Sequence, residues 1–161
     1  MRESTDRLLR AGTWDRAHGF AAISEAVWWV TMVDATLMRY HPDRYGNILS
    51  RQPPARRRVI EDTFAGLRFV RNRMGYDADP EDFIQPLDPG PGATTSCIAA
   101  WTWKPVREPA LTSLTPGARE WELARYQAYQ AQLAGRPAGE TFGQAVAFLH
   151  LAAENSSLTH T

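Results

Sequence analysis

Lysine is almost missing from this chain: of its 18 basic residues, 17 are Arg and only Lys104 is Lys. A selected functional surface rarely excludes Lys so completely, so the bias points to GC-rich codon usage and selects no function. Cysteine is equally scarce. Cys97 stands alone, which excludes an internal disulfide and a cysteine metal cluster, and no neighbour in the sequence would activate its thiol. Neither sign of charge is in excess, since 18 acidic residues balance the 18 basic ones. That argues against a protein whose whole surface grips nucleic acid, while leaving room for a local basic patch. His18, His41, His150 and His160 lack metal-ligand spacing, so neither metal nor cofactor is expected. The chain also has no phosphate-cradling Gly-rich loop, no His-Glu-x-x-His and no nucleophile elbow. No apolar run reads as a membrane span and the N-terminus has no signal-peptide core, so the expectation is a cytoplasmic protein without a membrane partner.

What is present is helical periodicity. Apolar residues make up 43% of the 161, enough for one domain over 1–161 that buries about two-thirds of its unfolded surface, with flexible ends at 1–13 and 155–161. A first long helix runs from about residue 15 to 40. Ile23, Val27, Val30 and Leu37 share one side, and Trp28, Trp29 and Met32 lie on others, so it reads as a central helix packed all round. His41-Pro42 ends it, and a connection of about a dozen residues leads to Pro53-Pro54. The second helix covers 56–76, with Ile60, Phe64, Leu67, Val70 and Met74 on its core face. Arg51, Arg56, Arg57 and Arg58 crowd its N-terminus, where the helix dipole disfavours cations. They therefore call for anions, either Glu61 and Asp62 nearby or a phosphate.

Gly75 is placed to end that helix, and Asp79-Pro80 to open a short extra one before the Pro/Gly-rich loop that runs to about residue 96. The segment 98–106 is the least helical. Trp101 and Trp103 would share a face there, either plugging the bundle or forming a platform that stacks a base or small ligand. Thr115-Pro116 starts a third long helix that Gly135 stops. Trp121, Ala124, Ala128 and Ala131 would form its packing seam, with Tyr126 and Tyr129 more exposed. A last helix over 141–154 carries Phe142, Val146 and Leu149 on one side. The expected fold is all-α, an antiparallel four-helix bundle with a short extra helix and an irregular Pro/Gly-rich loop.

Two charges sit in the wrong places. Asp34 falls inside the apolar face of the first helix and Arg71 inside that of the second. A guanidinium stays protonated at any ordinary pH, so a buried one needs a partner. An Asp34–Arg71 ion pair meets that need and would fix the helix register, with Glu25 as the alternative acid.

Arg71 also opens the run Arg71-Asn72-Arg73-Met74-Gly75-Tyr76, which resembles the Arg-(Asn/Asp/His)-x-x-x-His signature of the HEPN superfamily. Its members are small α-helical domains, many of them metal-independent endoribonucleases of defence and toxin–antitoxin systems, commonly dimers with a composite cleft. The resemblance implies a catalytic set of Arg71, Asn72 and Tyr76, with Arg71 on phosphate and Asn72 orienting the site. Arg68 or Arg73 would hold further phosphate. Tyr76 stands where the family has His, and a phenol that titrates near pH 10 is a poor acid–base catalyst at neutral pH. The expectation is therefore a non-catalytic interaction module, a degenerate HEPN-like domain working as a homodimer or through a protein partner. The alternatives are an active ribonuclease that binds RNA, and a small-ligand-binding bundle using Trp101, Trp103, Tyr126 and Tyr129.

Overall fold

The computed structural model describes residues 16–74, 82–86, 101–108 and 115–157. They form an all-α fold with one small strand pair. Helix α1 spans Arg16–Tyr40, α2 Pro42–Ser50, α3 Pro54–Met74, α4 Pro116–Gln132 and α5 Ala138–Ser157. Strands β1 (Ile84–Pro86) and β2 (Trp101–Trp103) lie between α3 and α4 in sequence. The expected flexible ends 1–13 and 158–161 lie outside the described residues, whereas 155–157 belong to α5.

Helix α3 is the hub. Its core face presents Phe64, Leu67 and Val70, each at most 1% exposed, and α1, α4 and α5 all pack against it. Burying a side chain of that size contributes about 1.5–3 kcal/mol, so this stripe anchors the bundle. The directions follow from side-chain pairings. Arg68 meets Asp34 while Arg71 meets Trp28, so α1 runs against α3. Gly66 faces Tyr129 and Leu133 while Asn72 reaches Glu122, so α4 runs against α3 as well. A Cβ at Gly66 would come within 2.9 Å of the Leu133 side chain and 3.0 Å of the Tyr129 backbone. The close helix approach therefore comes from a glycine of α3 and not from the expected alanine seam of α4. Trp121, Ala124 and Ala131 are exposed, and the buried positions of α4 are Glu122, Ala128 and Tyr129, continued by Leu133 beyond its end.

Helix α1 is not enclosed on all sides. Ile23, Val27 and Val30 are buried, whereas Trp28, Trp29 and Met32 face outward. Its stretch Gly19–Tyr40 is long and apolar enough to cross a membrane by length and composition, contrary to the sequence expectation, and the core helix of a soluble protein passes the same test.

A short helix forms where a connection was expected. Proline at the first helical position lets α2 start directly after His41, and Tyr45 and Ile48, one turn apart, are buried. The supposed connection is thus mostly helical. The expected cap at Asp79-Pro80 and the Pro/Gly-rich loop that runs to about residue 96 lie outside the described residues. Ile84–Pro86, expected within the short helix, is extended instead and pairs antiparallel with β2 in the register Ile84↔Trp103 and Pro86↔Trp101. Proline is tolerated on such a short outer strand because a missing N–H costs little there.

Strand β2 is clamped from its other side by the turn between α4 and α5. The Trp103 amide donates to the Arg136 carbonyl (3.0 Å), and the Gly135 amide donates to the Trp103 carbonyl (2.7 Å). Gly135 adopts φ +78°, the left-handed geometry that ends α4 and allows this return. Trp103 Nε1 donates to Thr141 Oγ1 (3.0 Å), which satisfies the one polar atom of a fully buried indole. Tyr129 is likewise enclosed, contrary to expectation. Its hydroxyl donates to the Lys104 carbonyl, and burial raises its pKa above the ordinary phenol value.

Candidate functional site

Asp34 has no solvent exposure. An isolated carboxylate could not remain ionised there, so its two oxygens need donors. Arg68 Nη2 donates to Oδ2, and the Tyr45 hydroxyl donates to Oδ1 at 2.6 Å. Burial raises the Asp34 pKa above its ordinary 3.8, opposed first by the Arg68 charge and then by the Tyr45 hydrogen bond. The same burial, with Asp34 beside it, raises the Tyr45 phenol. The expected Asp34–Arg71 pair is therefore corrected to Asp34–Arg68. Arg68 lies three residues before Arg71 on the face that α3 turns toward α1, so it reaches the same acid from one turn away.

Arg71 goes elsewhere. Its Nη2 donates to Asn72 Oδ1 at 3.4 Å, and its guanidinium lies 6.0 Å from the centroid of the Trp28 ring. Asn72 Nδ2 reaches Glu122 Oε2 at 3.4 Å, and Arg125 Nη1 donates to the same oxygen at 3.3 Å. Burial, then the charges of Arg125 and Arg68, lower the Arg71 pKa; Asp34 pulls it the other way. The cluster thus gathers Arg68, Arg71 and Arg125 around two carboxylates, each of which already has a guanidinium partner. Among the described residues Arg71 has no carboxylate of its own. It can meet an acidic side chain or a phosphate that arrives from outside.

Next to this cation is the open face of α1. Trp28 and Trp29 are 54% and 48% exposed, and Met32, one turn after Trp28, is also exposed. Together they expose a patch of roughly 300 Å² of apolar side chain, at the size where such patches on monomers tend to be functional.

The other expected site residues divide as follows. Asn72 accepts a hydrogen bond from Arg71, while Tyr76 lies outside the described residues. Arg68 is held by Asp34, which corrects its assignment to phosphate. Arg73 is half-buried with no carboxylate partner among the described residues. Trp101 and Trp103 are buried, with Trp101 edge-on to Phe20 at 5.1 Å and Trp103 against Phe142 at 5.9 Å, so neither offers a stacking platform. Among the described residues no group of His, Cys, Asp or Glu is placed to hold a metal ion.

Tyr45, Glu122 and Arg125 were missed. Glu122 was findable from the row Glu122, Tyr126, Tyr129, Leu133, which has helical spacing as regular as the row of alanines preferred above. Comparison of the chain with protein-family models, curated proteins and solved structures finds no match.

Proposed function

We propose that this protein is a non-catalytic α-helical interaction module, a degenerate HEPN-like domain, that acts by docking the Trp28–Trp29–Met32 face of α1 onto a second copy of itself or onto another cytoplasmic protein. The observation behind it is the juxtaposition of the half-exposed Trp28, with Trp29 beside it, and Arg71, which has no carboxylate partner among the described residues. Tryptophan and arginine dominate interface hot spots, because a large flat ring and a forked cation bring much energy to a small area. A complementary surface would be apolar along its centre and place one acidic side chain against Arg71. Sedimentation velocity of the wild type and of the Trp28→Ser, Met32→Ser double variant tests the homodimer. The expected result is self-association in the wild type that the variant loses while keeping its helicity. A wild type that stays monomeric at every concentration overturns the homodimer.

A second reading has its own support: the Arg71–Asn72 contact matches the first two positions of the ribonuclease signature. On that reading the protein is a metal-independent endoribonuclease of a defence or toxin–antitoxin system. Incubation with single-stranded RNA in the presence of a chelator is expected to give little or no cleavage, because Tyr76 replaces the motif His. Robust cleavage that Arg71→Ala abolishes, with folding intact, would reverse the order of the two readings.

A further inference from the structure

Of the arginines crowding the start of α3, Arg57 is paired with Glu61 at 3.1 Å and Arg58 with Asp62 at 3.6 Å, each one turn further along the helix. Arg56 has no carboxylate partner among the described residues. It stands in the wall of a groove of about 610 Å³ between the first half of α3 and α5. Val59, Ile60, Ala147, Phe148 and Leu151 make most of that groove apolar, with Gln52 and Gln144 also in its lining. Its volume lies within the ~300–1,000 Å³ typical of small-molecule sites. One end is different. Pro54 contributes no N–H, and the first amide of α3 to find a backbone acceptor is that of Arg57, bonded to the Pro53 carbonyl at 2.9 Å. The amides of Ala55 and Arg56, both groove residues, therefore remain available beside the Arg56 guanidinium.

We propose that this groove binds a single-chain fatty carboxylate, with its head group on Arg56 and the two open amides and its alkyl chain along Val59, Ile60, Ala147 and Leu151. Charge complementarity selects the anion, because a guanidinium at a helix N-terminus is electrostatically unfavourable until an anion joins it. The lining selects the tail. An extended peptide would bring a polar group at every residue into a groove with few polar atoms to meet them, whereas an alkyl chain brings none. A partner helix, about 10–12 Å across, would fill this volume in little more than one turn, too little to hold it. This site is remote from Arg71 and independent of the docking face on α1.

The test is calorimetric titration with dodecanoate below its micelle concentration, against dodecyltrimethylammonium and butanoate. Two variants accompany the wild type. Arg56→Gln removes the charge at a solvent-exposed position. Gly143→Leu fills the groove, because Gly143 lines it and a Cβ there meets no atom within 4 Å, so the fold can accept the side chain. Circular dichroism confirms that both variants keep their helices. Saturable one-to-one binding of dodecanoate is expected, with no binding of butanoate or of the cation. Arg56→Gln should weaken it about ten-fold, as loss of one charged hydrogen bond does. Gly143→Leu should abolish it. Equal binding of the cationic amphiphile, undiminished binding in either variant, or absence of dodecanoate binding would overturn the proposal.

Discussion

Removing either member of the Asp34–Arg68 pair should be costly, and removing both should cost well short of the sum of the two losses. Asp34 is fully enclosed, and the Arg68 side chain is 24% exposed. Breaking a buried ion pair by deleting one partner costs about 3–5 kcal/mol, because the other charge stays desolvated. Asp34→Ala belongs near the lower end, since the stranded guanidinium keeps a path to water and also loses only one of its contacts, the other being Met38 Sδ at 3.2 Å. Arg68→Ala leaves the carboxylate with Tyr45 alone. Its cost is limited by proton uptake, because burial already lifts the Asp34 pKa and each further unit costs only about 1.4 kcal/mol.

Both single variants are therefore expected to lose about 3 kcal/mol. With a urea m-value of about 2 kcal/mol/M, each loss lowers the unfolding midpoint by about 1.5 M. The double variant Asp34→Ala, Arg68→Ala strands neither charge and should lose about 3–4 kcal/mol in all, well short of the sum of the two single losses. Urea unfolding followed by circular dichroism at pH 7 gives all four corners of the cycle. A coupling of about 2–3 kcal/mol is expected for Asp34 with Arg68, and less than about 1 kcal/mol for Asp34 with Arg71. Additivity of the Asp34 and Arg68 losses to within about 0.5 kcal/mol would refute the pairing.

Two further outcomes follow from the same packing. Because the Asp34 pKa is higher in the folded than in the unfolded chain, the folded state binds more protons above pH 3.8. The stability advantage of wild type over Asp34→Asn should therefore be largest below that pH and shrink as pH rises through the folded pKa, measured by urea midpoints across a pH series; an advantage that grows with pH would contradict it. Gly66→Ala, harmless or helpful in an ordinary helix, should here destabilise by about 1–3 kcal/mol, because its Cβ meets the Tyr129 backbone, which cannot rotate away as a side chain can. An unchanged thermal midpoint would mean that α3 and α4 do not approach as described.

The long helices were legible because their signals are local. Proline after Thr115 starts α4, the left-handed Gly135 ends the turn that follows it, and the spacing of Phe64, Leu67 and Val70 marks the core face of α3. What failed depends on neighbours. His41-Pro42 ends one helix and starts another, and only the burial of Tyr45 and Ile48 against the bundle decides that the chain coils again at once. Residues 84–86 become a strand because β2 offers them a partner, which no propensity in Ile-Gln-Pro announces. The two rows of α4 were equally periodic. The choice between them rests on Gly66, a residue of another helix that leaves room for the Tyr129 backbone and none for an exposed tryptophan.

The site shows the same division at the scale of single charges. A buried Asp34 and a misplaced arginine on the next helix were both visible as anomalies, and pairing them was sound physics. The sequence distance between the helices fixed the depth only to within a turn, and Arg68 and Arg71 differ by less than one turn. The packing decides the matter: Tyr45 donates to one Asp34 oxygen and Arg68 to the other, while the Arg71 guanidinium lies over the Trp28 ring. Glu122, the second enclosed carboxylate, is held by Arg125 and Asn72. Among the described residues Arg71 is thus left without an acid of its own, and it lies against the ring of Trp28 on the outward face of α1. The residue that sequence reasoning assigned to holding the fold together is the one whose charge is available to something outside it.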